Sequence, residues 1–250
     1  LFVSAVEATE ESQSLDKRQA AMIPIAALTA SGDVKTLNDA LKVGLENGLT
    51  VNEIKEIFIH SYAYAGFPRA LNGIMTFMDV AAERKAQGIT DEVGREATPL
   101  PEDYNANSYG HQVRNALVGQ DMSNRTTGYA GFVPTIEIFL VEHLFADIFY
   151  RDVLTVEDRE LLTISMLSAM PGAEAQLTSH MKLSLRVGYS PAQLLEFTRI
   201  LKDSVSQDSA IRASHVLSSV ANIDVNNETT KHVTVSTDST VTQGSPTNFS

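Results

Sequence analysis

One unit of this chain occurs twice, and that repetition restricts its possible folds more than any other feature of the sequence. Ser14-Leu-Asp-Lys-Arg18 matches Thr155-Val-Glu-Asp-Arg159. Each is followed by a mostly apolar stretch of helical spacing, 20–30 and 161–170, that ends at Gly32 or Gly172. A second helix then leads to Gly48 or Gly188, each placed where a helix C-cap is expected. Eight residues after each glycine comes a glutamate, Glu56 or Glu196, inside a third helix. Helix, helix, glycine turn, helix therefore appears twice, at an offset of about 140 residues.

Local signals favour helix throughout. Thr50 with Glu53 forms a capping box, and Ser190-Pro191 places an N-cap serine before a proline at the first helical position. Ser14 and Thr155 are expected to cap in the same way. Ile54, Ile57, Phe58 and Tyr62 recur at helical spacing, and Leu161, Ile164, Ser165, Leu167 and Ser168 form a face of small and apolar residues suited to close packing. Strand-like alternation is missing until the C-terminal tail. The expectation is an all-α protein of two tandem pseudo-symmetric repeats. Residues 1–13 form an N-terminal segment, 14–86 the first repeat, 87–133 a connection, 134–221 the second repeat and 222–250 an extended Ser/Thr-rich tail. Within the connection, 87–107 reads as a long loop and 108–119 as a short helix. Residues 134–150 read as one strongly apolar helix, and Gly66-Phe67-Pro68 as a helix interruption.

Composition closes several function classes. The net charge of −12 argues against nucleic acid, which needs clustered Lys and Arg. No apolar run approaches the roughly 18–20 residues that span a bilayer. With no cysteine, disulfides, thiolate metal sites and a redox CxxC are impossible. Six His and many carboxylates leave a His/carboxylate metal site possible in principle, but no His pair has the usual i,i+4 ligand spacing on one helix, and no metal or other cofactor is expected. Residues 1–8 read either as the end of a cleaved signal peptide or as a fraying terminus. Cytoplasm and periplasm both remain open.

Several strings carry a family resemblance. Glu53-Ile-Lys-Glu-Ile-Phe-Ile-His60, followed by Tyr62-Ala-Tyr-Ala-Gly-Phe-Pro-Arg-Ala70, resembles the signature of carboxymuconolactone decarboxylases. Arg159-Glu160-Leu161, then His180 and Gly188, resembles the other half of that motif. Residues 142–152 resemble the segment preceding it in two-repeat bacterial members. The resemblance covers 15–220 and implies an AhpD-like helical fold. Related helical peroxidase-reductases carry a CxxC ahead of the motif histidine. Ala173 and Gln176 stand there instead, so thiol peroxidase and disulfide reductase chemistry is closed.

The repeats have kept complementary halves of the motif. Aligned on their glycines, His180 falls on Ala40, and His60 falls on Ile200. The resemblance thus implies one composite site, with Glu160 and His180 from the second repeat and His60 and Tyr64 from the first. His180 is a candidate proton donor, or else a helix histidine bonded in the core. Glu160 orients it or acts as the acid, or is a carboxylate favoured by a helix N-terminus. His60 and Tyr64, four apart on one face, offer donors to an oxyanion or pack in the core. Arg69, and Tyr62 with it, are candidate substrate contacts; Arg69 would clamp a carboxylate with its planar fork. Glu56 and Glu196 suit a shared structural role, and His143, Asp147 and Arg151 a polar ladder on one helix. The implied function is a cofactor-free lyase acting on a small carboxylated lactone or similar oxygenated substrate. Its alternative is a non-catalytic helical scaffold or partner subunit, with the tail weakly resembling the run-in to a cupin barrel. A homo-oligomer (dimer, trimer or hexamer-like) is expected in either case.

Overall fold

The computed structural model describes residues 14–222, so the expectations for the N-terminal segment and for the tail from residue 223 onward lie outside the described residues. The protein is all-α, with no strand among the described residues. Helices α1 (Lys17–Ser31), α2 (Val34–Glu46) and α3 (Val51–Ala86) come first, followed by α4 (Ala106–Val118), α5 (Gly128–Phe132) and α6 (Pro134–Ile138). A π-helical segment, Phe139–Ile148, leads to α7 (Val156–Ala169), α8 (Glu174–Val187), α9 (Pro191–Ser204) and α10 (Gln207–Ala221).

Two helices, α1 and α7, form the centre and pack against each other. Every residue from Ala21 to Ala30 and from Asp158 to Ala169 is buried, so these helices are enclosed on all sides. Their hydroxyls turn inward onto their own backbones: Thr29 donates to Ile25 O, Ser165 to Leu161 O and Ser168 to Ile164 O. This satisfies each buried donor and leaves small side chains at the packing surface.

Capping boxes start four helices, at Asp16, Thr50, Thr155 and Ser190. The first corrects the expectation for Ser14. Asp16 accepts from Gln19 N while the Gln19 side chain accepts from Asp16 N, so the reciprocal pair forms two residues later. Leu15 is buried ahead of it, and its backbone N–H donates to Glu196 at 2.8 Å.

Helix α3 breaks at Gly66, which has φ 77° and ψ 166°. That combination is open essentially to glycine alone. The 87–107 connection is docked rather than loose at its start: Val51 N donates to Glu92 O, Asn52 N to Val93 O, and the Asn52 amide reaches Gly94 O and Arg95 O. The apolar stretch 134–150 is not one α-helix. After α6 it widens into the π-helical segment, ending on a five-residue bond from Phe149 N to Leu144 O.

Candidate active site

Four consecutive charged residues, Glu157 to Glu160, lie in the first turns of α7, and the last three are buried. Successive helix positions project about 100° apart, so each meets a different neighbour. Asp158 accepts from the Arg18 guanidinium of α1 at 2.8 and 3.2 Å. Arg159 reaches α3, donating to Glu56 at 3.0 Å and to His60 Nδ1 at 3.3 Å. Glu160 reaches α8, where its Oε2 accepts from His180 Nδ1 at 2.8 Å.

The Glu160–His180 pair has the form of a proton relay. The carboxylate is fully buried and the imidazole is partly exposed, so one end is fixed and the other reaches toward solvent. With Nδ1 turned to the carboxylate, Nε2 is left as the outward-facing nitrogen. Tyr64 packs edge-on against the His180 ring, centroids 5.8 Å apart, and its ring also lies 5.2 Å from His60. Its hydroxyl is buried close to the Thr163 hydroxyl but makes no hydrogen bond of normal geometry. Burial and the nearby Glu160 carboxylate push the Tyr64 phenol well up, so it remains a neutral donor. The second Glu160 oxygen is buried and unpartnered as well. A donor and an acceptor, each costing about 1–3 kcal/mol while unsatisfied, therefore flank the same histidine.

His60 is placed differently. It is fully buried, with both ring nitrogens engaged. Arg159 donates to Nδ1, which leaves the proton on Nε2, and that N–H donates to Thr163 at 2.9 Å. The Thr163 hydroxyl in turn donates to Arg159 O. Burial above all, then the Arg159 and His180 charges, hold the His60 pKa well below the ordinary histidine range. It is a neutral, tautomer-locked prop behind Tyr64. Glu56, buried beneath it, accepts from Arg159 and from Arg151 Nε at 3.0 Å. Arg151 therefore leaves the expected polar ladder, because the π-helical segment ends before it and it no longer shares that helix face.

The structure brings His180, Glu160, Tyr64 and His60 together; Tyr62 and Arg69 lie apart from them. Tyr62, two residues before Tyr64, stacks on Phe67 and hydrogen-bonds His143. Arg69 lies over Gly32 at the α1 C-terminus, so tightly that a Cβ there would overlap its guanidinium. It lines a cavity of about 350 Å³ with Ala30, Ser31, Ala65, Ala169, Met170 and Pro171. An arginine beside the carbonyl ends of two helices is favoured by their dipoles without any ligand.

A residue that sequence reasoning missed is Arg186. It lines an open, mostly apolar cavity of about 490 Å³ with Val113, Ala116, Leu117, Val156 and Val187. Val113 and Val187 pack in the same apolar cluster as Tyr64, and Val187 follows His180 by seven residues, two turns or about 10 Å along α8. The signal was a cation in the last turn of the histidine's own helix. Among the described residues, no group of His, Asp and Glu is placed to hold a metal ion, and no helix is long and apolar enough to cross a membrane.

Residues 2–75 match the carboxymuconolactone decarboxylase family. No curated protein matches the chain. The family match spans α1, α2 and the part of α3 that carries His60, Tyr64 and the Gly66 break. Glu160 and His180 lie outside it. The region that matches the family model thus contributes one wall of the site, and α7 and α8 contribute the other.

Proposed function

We propose that this protein is a cofactor-free acid/base lyase that decarboxylates a small carboxylated lactone or a related unsaturated, oxygenated acid. The observation that carries the reading is the buried Glu160 carboxylate bonded to a partly exposed His180, with the unpartnered Tyr64 hydroxyl against the same ring.

In such a reaction the C–C bond to the carboxylate breaks, CO2 leaves, and the electron pair moves through the unsaturated system onto the lactone carbonyl oxygen. Tyr64 donates to that oxyanion; a positioned donor of this kind is worth about 10²–10³ in rate. His180 then returns a proton to carbon, with Glu160 stabilising the imidazolium, for roughly 10²–10⁴. His60 and Arg159 hold Tyr64 and α7 in register and do not touch the substrate. Arg186, in the cavity two turns along α8, takes the carboxylate-binding role, since Arg69 is packed over Gly32 at the end of α1.

The non-catalytic scaffold reading has one observation in its favour, that both nitrogens of the motif histidine His60 are committed to internal bonds. One experiment separates the two. The purified protein is mixed with 4-carboxymuconolactone, and CO2 release is followed for the parent and for His180→Ala. Turnover that falls by at least about 10² in the variant supports the lyase. Equal rates in the two proteins, or no turnover of this or related lactone acids, favour the scaffold.

A further inference from the structure

A second set of side chains, outside the site described above, has the order of a nucleophile, a base and an orienting acid. The Tyr62 hydroxyl hydrogen-bonds His143 Nε2, and His143 Nδ1 meets Asp147 Oδ2 at 2.9 Å. The other Asp147 oxygen accepts from the Tyr104 hydroxyl at 3.4 Å. With its carboxylate engaged on both sides, Asp147 fixes the His143 tautomer: the proton sits on Nδ1, and the Nε2 lone pair is turned to the phenol. Such constellations are recognised by geometry and roles rather than by sequence order, and tyrosine is among the side chains that act as covalent nucleophiles.

The surroundings indicate what would be received there. His143 and Asp147 are both nearly half exposed, so the relay is open to solvent. Phe67 stacks on the Tyr62 ring with centroids 4.5 Å apart and is itself largely exposed. Across the relay, Tyr104 and Tyr150 pack edge to face, with Tyr109 against both. A reactive oxygen flanked by one exposed ring and by half-buried tyrosine rings suits a flat, aromatic leaving group.

We infer that Tyr62 is the nucleophile of a second site, which accepts an acyl group from activated aryl esters with His143 as its base. The Tyr62 oxygen forms a bond to the acyl carbon as its proton passes to His143 Nε2. The ester C–O bond breaks with its electron pair on the departing phenoxide, which carries away the proton from His143 or leaves as the free anion. The products are an O-acyl tyrosine and a phenol, with no oxidant or further reactant required.

The probe is p-nitrophenyl acetate with the full-length protein, read both as nitrophenolate release and by peptide mass spectrometry of each tyrosine. Tyr129 is the internal reference, since it is exposed and has an arginine rather than a histidine at its hydroxyl. Tyr62 is expected to be acetylated at least about tenfold faster than Tyr129. His143→Gly is expected to reduce Tyr62 to the reference rate, and added imidazole to restore the excess of Tyr62 over Tyr129 acetylation, which acetylimidazole formed in solution would not do selectively. Tyr62→Phe is expected to remove the fast phase of nitrophenolate release. Acetylation of Tyr62 no faster than Tyr129 in the parent protein would overturn the inference, as would a His143→Gly variant that keeps the parental rate.

Discussion

Arg159 is the residue on which the site's framework turns, because it is a fully buried cation shared between Glu56 and His60. Arg159→Met strips the Glu56 carboxylate of its buried partner, a change that ordinarily costs 3–5 kcal/mol. Arg151 still donates to Glu56, so about 3 kcal/mol, read as a lower urea midpoint with unchanged slope, is the expected loss. His60 adds a pH dependence. Burial depresses its pKa, so below the ordinary histidine value of 6.5 the unfolded chain binds a proton that the folded chain refuses. The associated stability is fully present above that pH and is lost as pH falls, by up to about 1.4 kcal/mol per unit. Between pH 6.5 and 5.5, His60→Gln should therefore show a flatter loss of stability than the parent; equal slopes would remove His60 as the cause. At the residue scale the motif strings named His180 and Glu160, and the structure places these two side chains in contact. It failed where it had to assign a helix face. Tyr62 and Tyr64 are two apart and point to different sides of α3. Arg69 follows the Gly66 break, which resets the phase of the helix, so helical spacing does not carry it to the face that holds Tyr64.

The element that decides the first wall of the site is α3, and its break has a single-residue cause. Gly66 adopts a backbone conformation that side chains rarely tolerate, so Gly66→Ala should destabilise by about 1–3 kcal/mol, measurable as a drop in Tm. A variant as stable as the parent would mean that the break is not required. Glycine followed by Phe67-Pro68 made this interruption visible in sequence. The start of α1 and the π-helical segment were not visible. Asp16 and Ser14 are both good N-cap residues, and only the tertiary burial of Leu15 against Glu196 selects between them. The 134–150 stretch is apolar on nearly every side, so its periodicity cannot distinguish an α-helical from a π-helical path.

For the whole molecule, the all-α class was legible from capping boxes and helical spacing, and the residues that would meet were legible from the complementary motif halves. The surface was not. Beyond Gly66, Leu71, Ile74, Met75 and Met78 form an exposed apolar stripe on α3, and Phe132, Ile136 and Phe139 project elsewhere. Sequence spacing marks such a stripe as buried without saying by what. We propose that a second copy of the chain covers it; Leu71→Glu with Met75→Glu should then shift the mass by light scattering from an oligomer to the monomer, whereas a monomeric parent would refute that association.

The central claim is that one site is built from the two ends of the chain, Tyr64 from the family-matched region and His180 with Glu160 from beyond it. It is tested most directly by CO2 release from 4-carboxymuconolactone in a double-mutant cycle of Tyr64→Phe and His180→Ala. Groups acting on one substrate are strongly non-additive. The account predicts that each single variant is slow and that the double variant is little slower than the worse of the two. Losses that simply multiply, or a Tyr64→Phe variant as fast as the parent, would contradict it.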